Sequence, residues 1–153
     1  MSAPSFRRAT LADLPTLLEL FPLYYESDHL PYDAARAESA IRLFLSEPAF
    51  GRLWLIEDST VVGYLALTFG FSFEFGGREA FVDELFVRAE CRSRGYGSAA
   101  IRYALDECAR EGLTAVRLEV TGHNPRARDL YRRLGFRDFG RSLLANPIPS
   151  DPR

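Results

Sequence analysis

The segment CRSRGYGSAA, Cys91 to Ala100, places two arginines before two glycines one residue apart, with a helix-like run behind them. These are the residue types of an anion cradle. Glycine admits backbone conformations that aim successive N–H groups at one point, and a following helix adds the positive end of its dipole. Arg92 and Arg94 add full positive charge. Two phosphate-binding patterns fit the letters. Gly95 to Ala100 reads as G-x-G-x-x-A, a dinucleotide-binding fingerprint; Arg92 to Gly97 reads as R-x-x-G-x-G, a pyrophosphate loop of another kind. A plain helix start after a flexible loop is the third reading.

The elements around the loop must position it. Phe6 to Ala9 predicts a short first strand. Thr10 to Asp13 offers a capped helix start, with Leu14, Leu17, Leu18 and Phe21 at helical spacing. YYESDHLPYD, Tyr24 to Asp33, is polar, aromatic and turn-rich and predicts a loop, followed by a second helix over Ala34 to Leu45 with Ala37, Ile41, Leu43 and Phe44 as its apolar members. Arg52–Glu57 and Val61–Phe69 flank a hairpin-length turn, Phe71–Phe75 extends that sheet to the turn at Gly76-Gly77, and Ala80–Val87 is a further strand. A helix over Ser98–Arg110 stops at Gly112, and Thr114–Val120 is β-branched and strand-like. Asn124 caps a helix that has Pro125 at its first position and Gly135 at its end; Phe136–Leu144 predicts a last strand, and the tail NPIPSDPR frays. The order β-α-α-β-β-β-α-β-α-β is a mixed α+β layout, mostly antiparallel with a late β-α-β unit.

The surroundings weigh against the dinucleotide reading, although Glu119 stands about where an acidic ribose ligand would, ~20 residues on. That fingerprint begins as its strand ends, yet Arg88 to Arg94 intervene after Val87. The strand carries Asp83 and Glu84, which suits a half-exposed active-site strand better than a buried parallel one. The chain also leaves no room for the repeated β-α units of a doubly wound sheet.

Composition narrows the classes further. The chain has 153 residues, the size of one domain, and a formal charge of −2, which argues against a general nucleic-acid binder. All 19 basic residues are arginine, which excludes Schiff-base and lysine-nucleophile chemistry. Cys91 and Cys108 have neither metal-site nor redox spacing and are expected as free thiols, and no metal site is expected. No secretory signal or membrane-spanning run is legible, so the expected location is the cytoplasm, without a membrane partner.

Three segments together carry a resemblance: Asp83 to Val87 (DELFV), Arg92 to Gly97 (RSRGYG) and His123 to Phe136 (HNPRARDLYRRLGF). In order and spacing they resemble the GNAT superfamily of acyl-CoA-dependent N-acetyltransferases. The resemblance implies a single acetyltransferase domain over residues 1–145 with a flexible tail over 146–153, and acetyl-CoA as cofactor. It places Arg92, Ser93, Arg94, Gly95, Tyr96, Gly97 and Ser98 around the pyrophosphate, and pairs the backbone of Leu85, Phe86 and Val87 with the pantetheine arm between two splayed parallel strands, 81–87 and 115–120. A backbone N–H of Leu85 or Phe86 would then polarise the thioester carbonyl. Asn124 stands where relatives contact the pantetheine, besides capping its helix, and His123 lies just outside that helix.

The resemblance also assigns the proton transfers. Tyr131 occupies the position of the acid that protonates the departing thiolate, an uphill donation of ~2 kcal/mol for unperturbed groups. A primary amine costs ~4 kcal/mol to deprotonate at neutral pH, and a carboxylate can receive that proton. Asp83 and Glu84 are neighbours on a strand and so are expected on opposite faces, with one facing the cleft; Glu84 is favoured, then Asp83.

The acceptor wall is expected in Tyr24, Tyr25, Glu26 and Asp28, acids among aromatics that suit a cationic amine, with Glu74 on the opposite wall. The function implied is acetyl transfer to a small-molecule primary amine (polyamine, diamine or amino-acid-like) by direct attack in a ternary complex, in a protein expected to form a homodimer. The alternatives are acetylation of a protein N-terminus or lysine, and a non-catalytic acyl-CoA-binding module or sensor.

Overall fold

The computed structural model describes residues 2–122 and 124–149, so the expectations on His123 and on the end of the tail fall outside the described residues. The chain divides into two compact units, Met1–Val120 and Thr121–Arg153. In the first, β1 (Ser5–Arg8), β2 (Gly51–Asp58), β3 (Thr60–Ser72), β4 (Gly77–Val87) and β5 (Ala115–Arg117) form one sheet in the order β1-β2-β3-β4-β5. The first three pairings are antiparallel and β4–β5 is parallel, as a crossover through helix α3 (Tyr96–Arg110) requires. The layout is the expected α+β one.

Each face of the sheet is closed by its own apolar cluster. Trp54, Ile56, Leu65, Leu67 and Ala80 pack against Tyr96, Ala100, Ala104 and Cys108 of α3. On the other face, Leu53, Leu55, Tyr64, Ala66 and Phe86 meet Leu14, Leu17 and Leu20 of α1 (Leu14–Ser27) and Ile41 of α2 (Ala34–Ser46). Two sequence expectations change here. The helix α1 absorbs Tyr24 to Ser27, which composition assigned to a loop, and it runs through Pro22. Ring contacts of Tyr24 with Tyr64 and Phe86 and of Phe21 with Tyr64 hold that last turn on the sheet. Leu43, expected inside, is 60% exposed.

Two irregularities of β4 matter for function. Its register against β3 slips where Ala66 pairs Glu84 but Leu67 pairs Val82, leaving Asp83 as an extra residue, a β-bulge. Its pairing with β5 ends at Phe81↔Arg117, so Val82 to Val87 continue without β5 as a neighbour.

In the second unit, α4 (Pro125–Arg133) is capped by Asn124, whose side chain accepts from the Ala127 N–H at 3.0 Å. The last strand expected over Phe136–Leu144 does not form. The Asp138 carboxylate accepts from the Gly140 N–H at 2.7 Å, and Gly140 takes a left-handed φ of 68°, which folds the segment into a turn. Phe139, Leu143 and Leu144 are 54%, 71% and 91% exposed, so no sheet face is gained by extending it.

Candidate active site

The N-terminal turn of α3 is built from left-handed backbone. Ser93 has φ 64°, and Gly95, which precedes the first helical residue, has φ 81° and ψ 10°. Ala99 N–H returns to Gly95 O at 3.0 Å; the earlier N–H groups of Tyr96, Gly97 and Ser98 have no partner within the helix. The loop is held from the strand side, where Arg92 Nε donates to Val87 O at 3.0 Å and its guanidinium lies over the Phe86 ring at 5.8 Å. Arg94 is more loosely placed, donating to Glu90 O at 3.4 Å.

A pocket of about 380 Å³ opens against this turn. Its walls are Leu85, Phe86 and Val87 from the end of β4, the loop residues Cys91, Arg92, Ser93, Gly95, Tyr96 and Gly97, and Tyr24, Ser27 and Asp28 at the end of α1. Three expectations for Met1–Val120 therefore converge: the cradle, the strand and part of the acceptor wall share one cavity. The glycines leave it open, since a Cβ on Gly95 would meet nothing within 4 Å and one on Gly97 would meet only Leu85 Cδ2, at 3.9 Å. Free N–H groups at a helix start, a cationic side chain and room for close approach fit a pyrophosphate. Tyr96 departs from expectation in its side chain. The ring is 5% exposed in the core under α3 and its hydroxyl donates to Asp58, so only its backbone serves the pocket.

The parted edge of β4 supplies the next feature. Arg88 N–H bonds Val62 O on β3 at 2.8 Å, so the two-residue period sends the N–H groups of Leu85 and Val87 to the opposite, unpaired side. Of the two backbone donors expected, Leu85 is the one on the open edge, while Phe86 pairs with Tyr64 of β3.

Beside this edge lies a carboxylate held by two phenols. Tyr64 OH donates to Glu84 Oε1 at 2.7 Å and Tyr25 OH donates to Oε2 at 2.9 Å. Burial pushes the Glu84 carboxyl above the ordinary carboxylate range, while the two phenol bonds pull the other way and the charges of Asp83 and Asp28 push with burial. Both tyrosines are raised in turn, first by burial and then by the Glu84 charge.

The expectation that Asp83 and Glu84 face opposite sides is corrected by the bulge. Val82 and Leu85 pack on the α3 face, three positions apart, so alternation fails between them. Glu84 faces α1, and the exposed Asp83 still acts through its charge on Tyr24 and Tyr25. Asp83 has itself lost enough water to be raised.

Tyr64 is the residue that pattern reading missed, because in sequence it is one apolar position of a strand. Its signal is physical: a fully buried phenol must find an acceptor.

The other expected residues are less gathered. Tyr25 packs edge-on against Tyr24 and Tyr32, both at 5.5 Å, adjoining the pocket wall rather than lining it. Glu26 is exposed on the last turn of α1. Glu74 sits in the β3–β4 turn, and since Gly77 pairs with Ser72 there, Glu84 lies seven residues farther along β4, roughly 23 Å away at the rise of a strand. It does not join the site. In Thr121–Arg153, Tyr131 lies on α4 with its ring 5.8 Å from that of Phe136, and burial raises its phenol. Among the described residues no group of three His, Cys, Asp or Glu could hold a metal, and no helix is long and apolar enough to cross a membrane.

The model of the acetyltransferase (GNAT) family matches residues 14–136. The chain is 36% identical over 79 residues to the thialysine N-epsilon-acetyltransferase of Bos taurus, a stretch covering 52% of this chain and 46% of that protein. It is 26% identical over 134 residues to the uncharacterized N-acetyltransferase YhfO of Bacillus subtilis, covering 88% and 90%. The chain spans about half the length of the bovine and porcine relatives it matches. Among solved structures, an integron cassette protein from the mobile metagenome of Cole Harbour Salt Marsh superimposes with a TM-score of 0.82 at 35% identity, covering 95% of this chain and 91% of that one. A predicted acetyltransferase of Clostridium acetobutylicum with acetyl-CoA shares the fold, with a TM-score of 0.77 at 14% identity over 94% and 96% of the two chains.

Proposed function

This chain belongs to the GNAT acetyltransferase family, and from that premise we propose that it is an acyl-CoA-dependent N-acetyltransferase acting on a primary amine of a small molecule, polyamine, diamine or amino-acid-like, by direct attack in a ternary complex. The observation that carries the reading is the adjacency along β4 of an open-edge N–H at Leu85 and a phenol-held carboxylate at Glu84, beside an anion cradle in the same unit. The name of the bovine relative, a thialysine acetyltransferase, supports an amino-acid-like acceptor.

Acetyl-CoA supplies the activated acetyl group and a thiol leaving group. The remaining work falls to the chain. The N–H groups of Tyr96, Gly97 and Ser98, with Arg92, hold the pyrophosphate, and the edge of Leu85 to Val87 takes the pantetheine arm. In this reading Leu85 N–H stabilises charge on the carbonyl oxygen, a role worth about 3 kcal/mol when a single donor is removed from such a site. Glu84 receives the amine proton. Its raised pKa lies nearer that of the ammonium and so lessens the uphill cost of the proton transfer, and Tyr25 and Tyr64 fix its orientation.

Asp83 contributes negative charge that favours a cationic acceptor, with Tyr24, Tyr25, Asp28 and Glu26 as the acceptor wall. Tyr131 is the proposed donor to the departing sulfur. Because burial raises its phenol, that donation costs more than the ~2 kcal/mol of unperturbed groups, which makes Tyr131 an assisting acid rather than the main source of rate. Asn124 is assigned a pantetheine contact in addition to its cap.

Calorimetry with acetyl-CoA, followed by thiol release over a panel of polyamines, amino acids, aminoglycosides and peptides, tests the reading. Turnover with a small amine is expected. Folded protein that binds no acetyl-CoA overturns it. Binding without thiol release from any acceptor makes the chain a sensor, and turnover with peptides alone makes it a protein acetyltransferase. The same reading takes the working form as a cytoplasmic homodimer, which sedimentation of the purified chain checks for its oligomeric part.

A further inference from the structure

The first residue of α3 is tied to a distant part of the sheet. Gly95, at the head of the helix, has no side chain to cap it, and two left-handed residues, Ser93 and Gly95, precede Tyr96. A left-handed non-glycine residue such as Ser93 persists where its surroundings hold it, so the turn calls for an outside brace. The Tyr96 hydroxyl provides it by donating to Asp58 Oδ2, where Asp58 is the last residue of β2 and pairs with Thr60 across a turn at left-handed Ser59. The same carboxylate accepts from Ser2 Oγ through Oδ1 at 3.2 Å, so both its oxygens are engaged. The ring between these ends is packed in the core with Ala100 and Ala104. Neither the loop pattern nor the pocket walls include Asp58.

We propose that Asp58 is a positioning residue for cofactor binding: through the Tyr96 hydroxyl it anchors the first turn of α3 to the β2–β3 hairpin and so fixes the N–H groups that receive the pyrophosphate. This rests on the reading that the loop binds that pyrophosphate. A hydrogen bond to an ionised acceptor is about twice as strong as a neutral one, so the brace discriminates between carboxylate and amide at position 58. It acts on one part of the cofactor only. The thioester end is held by β4, which Asp58 does not touch.

The test compares wild type with Tyr96→Phe, Asp58→Asn and the double variant, all of which preserve side-chain volume. Titration with acetyl-CoA is set beside kinetics with S-acetylpantetheine, a thioester arm that lacks the pyrophosphate. Tyr96→Phe is expected to weaken acetyl-CoA binding about tenfold, about 1.4 kcal/mol, Asp58→Asn by less because its amide oxygen still accepts, and the double variant no further than Tyr96→Phe. The KM for S-acetylpantetheine stays at the wild-type value, and kcat at saturating acetyl-CoA falls far less than the affinity. Equal weakening toward both thioesters, additive losses in the double variant, or unchanged acetyl-CoA binding overturns the proposal. Should Asp58→Asn unfold, Tyr96→Phe carries the test alone, since it removes one oxygen and leaves the ring in place. Wild type that fails to bind acetyl-CoA overturns the functional reading as well; wild type that binds with variants equal to it overturns the brace alone.

Discussion

Replacing Glu84 by glutamine keeps the size of the side chain and removes its charge. In the wild type, Glu84 Oε1 and Oε2 accept from Tyr64 and Tyr25 at 2.7 and 2.9 Å, and glutamine can be held by the same phenols once one of them turns to accept from the amide. The fold therefore tolerates the change while the base is lost. An amine of pKa ~10 is neutral in only about one molecule in 10³ at pH 7, so an enzyme that must wait for that fraction is slower by up to about 10³-fold.

The deficit has a pH signature. Wild-type kcat/KM should be level above the Glu84 pKa and fall below it, a limb lying above the ordinary carboxylate range because burial raises the group. The variant should lack that limb and rise about tenfold per pH unit toward the amine pKa, so that the two curves approach one another near pH ~10. Rates measured by thiol release from pH 5 to 10 decide the matter. A variant whose profile runs parallel to the wild type, or whose deficit at pH 7 is under about threefold, refutes Glu84 as the base.

Tyr64→Phe removes a bond that holds the Glu84 pKa down, so the acid limb of the kcat/KM profile should move to higher pH, and thermal unfolding should report a loss of about 1–3 kcal/mol from the unmet buried acceptor. Glu84→Gln should also gain stability relative to wild type at pH 7. A carboxyl raised on folding stabilises the protein fully below its unfolded pKa and loses that contribution as pH rises through the folded one; the gap between the two proteins should therefore close on acidification. Gly97→Ala puts a methyl in ordinary contact with Leu85 Cδ2 and favours the helix by about 0.5–1 kcal/mol, so melting should be unchanged or higher while calorimetry shows weaker acetyl-CoA binding. Tyr131→Phe should lower kcat more than it weakens acetyl-CoA binding, and equal turnover removes Tyr131 from the chemistry.

What was legible in the sequence followed local rules. The RSRGYG loop announced itself because its glycine is required by φ at Gly95, and the helix behind it by a 3.6-residue apolar repeat. Asn124 and Pro125 marked α4 for the same reason. The parts that were hidden depend on partners far along the chain. Strand alternation gives the wrong faces for Asp83 and Glu84 because the bulge arises from the register with β3, and nothing in FVDELFV marks it. The polar look of Tyr24 to Ser27 concealed a helical turn whose aromatics pack on Tyr64 and Phe86. Tyr96 looked like a loop residue facing the anion, but its hydroxyl finds Asp58 at the end of β2. Phe136 to Leu144 carries the apolar content of a strand, and the Asp138–Gly140 turn overrides it.

The extra residue in β4 has a consequence for how such a site tolerates change. The slip at Asp83 follows the last β4–β5 pair, Phe81↔Arg117, by two residues, and a bulge increases the local twist of its strand. The parting of the two strands thus coincides with a feature of chain length, not of side-chain type. Exchanging Asp83 for another residue leaves the count intact and with it the opening. Deleting it restores an uninterrupted β3–β4 ladder and removes the twist that the extra residue adds to β4 just beyond its last pair with β5. For this cleft, a missing codon is a graver lesion than an altered one.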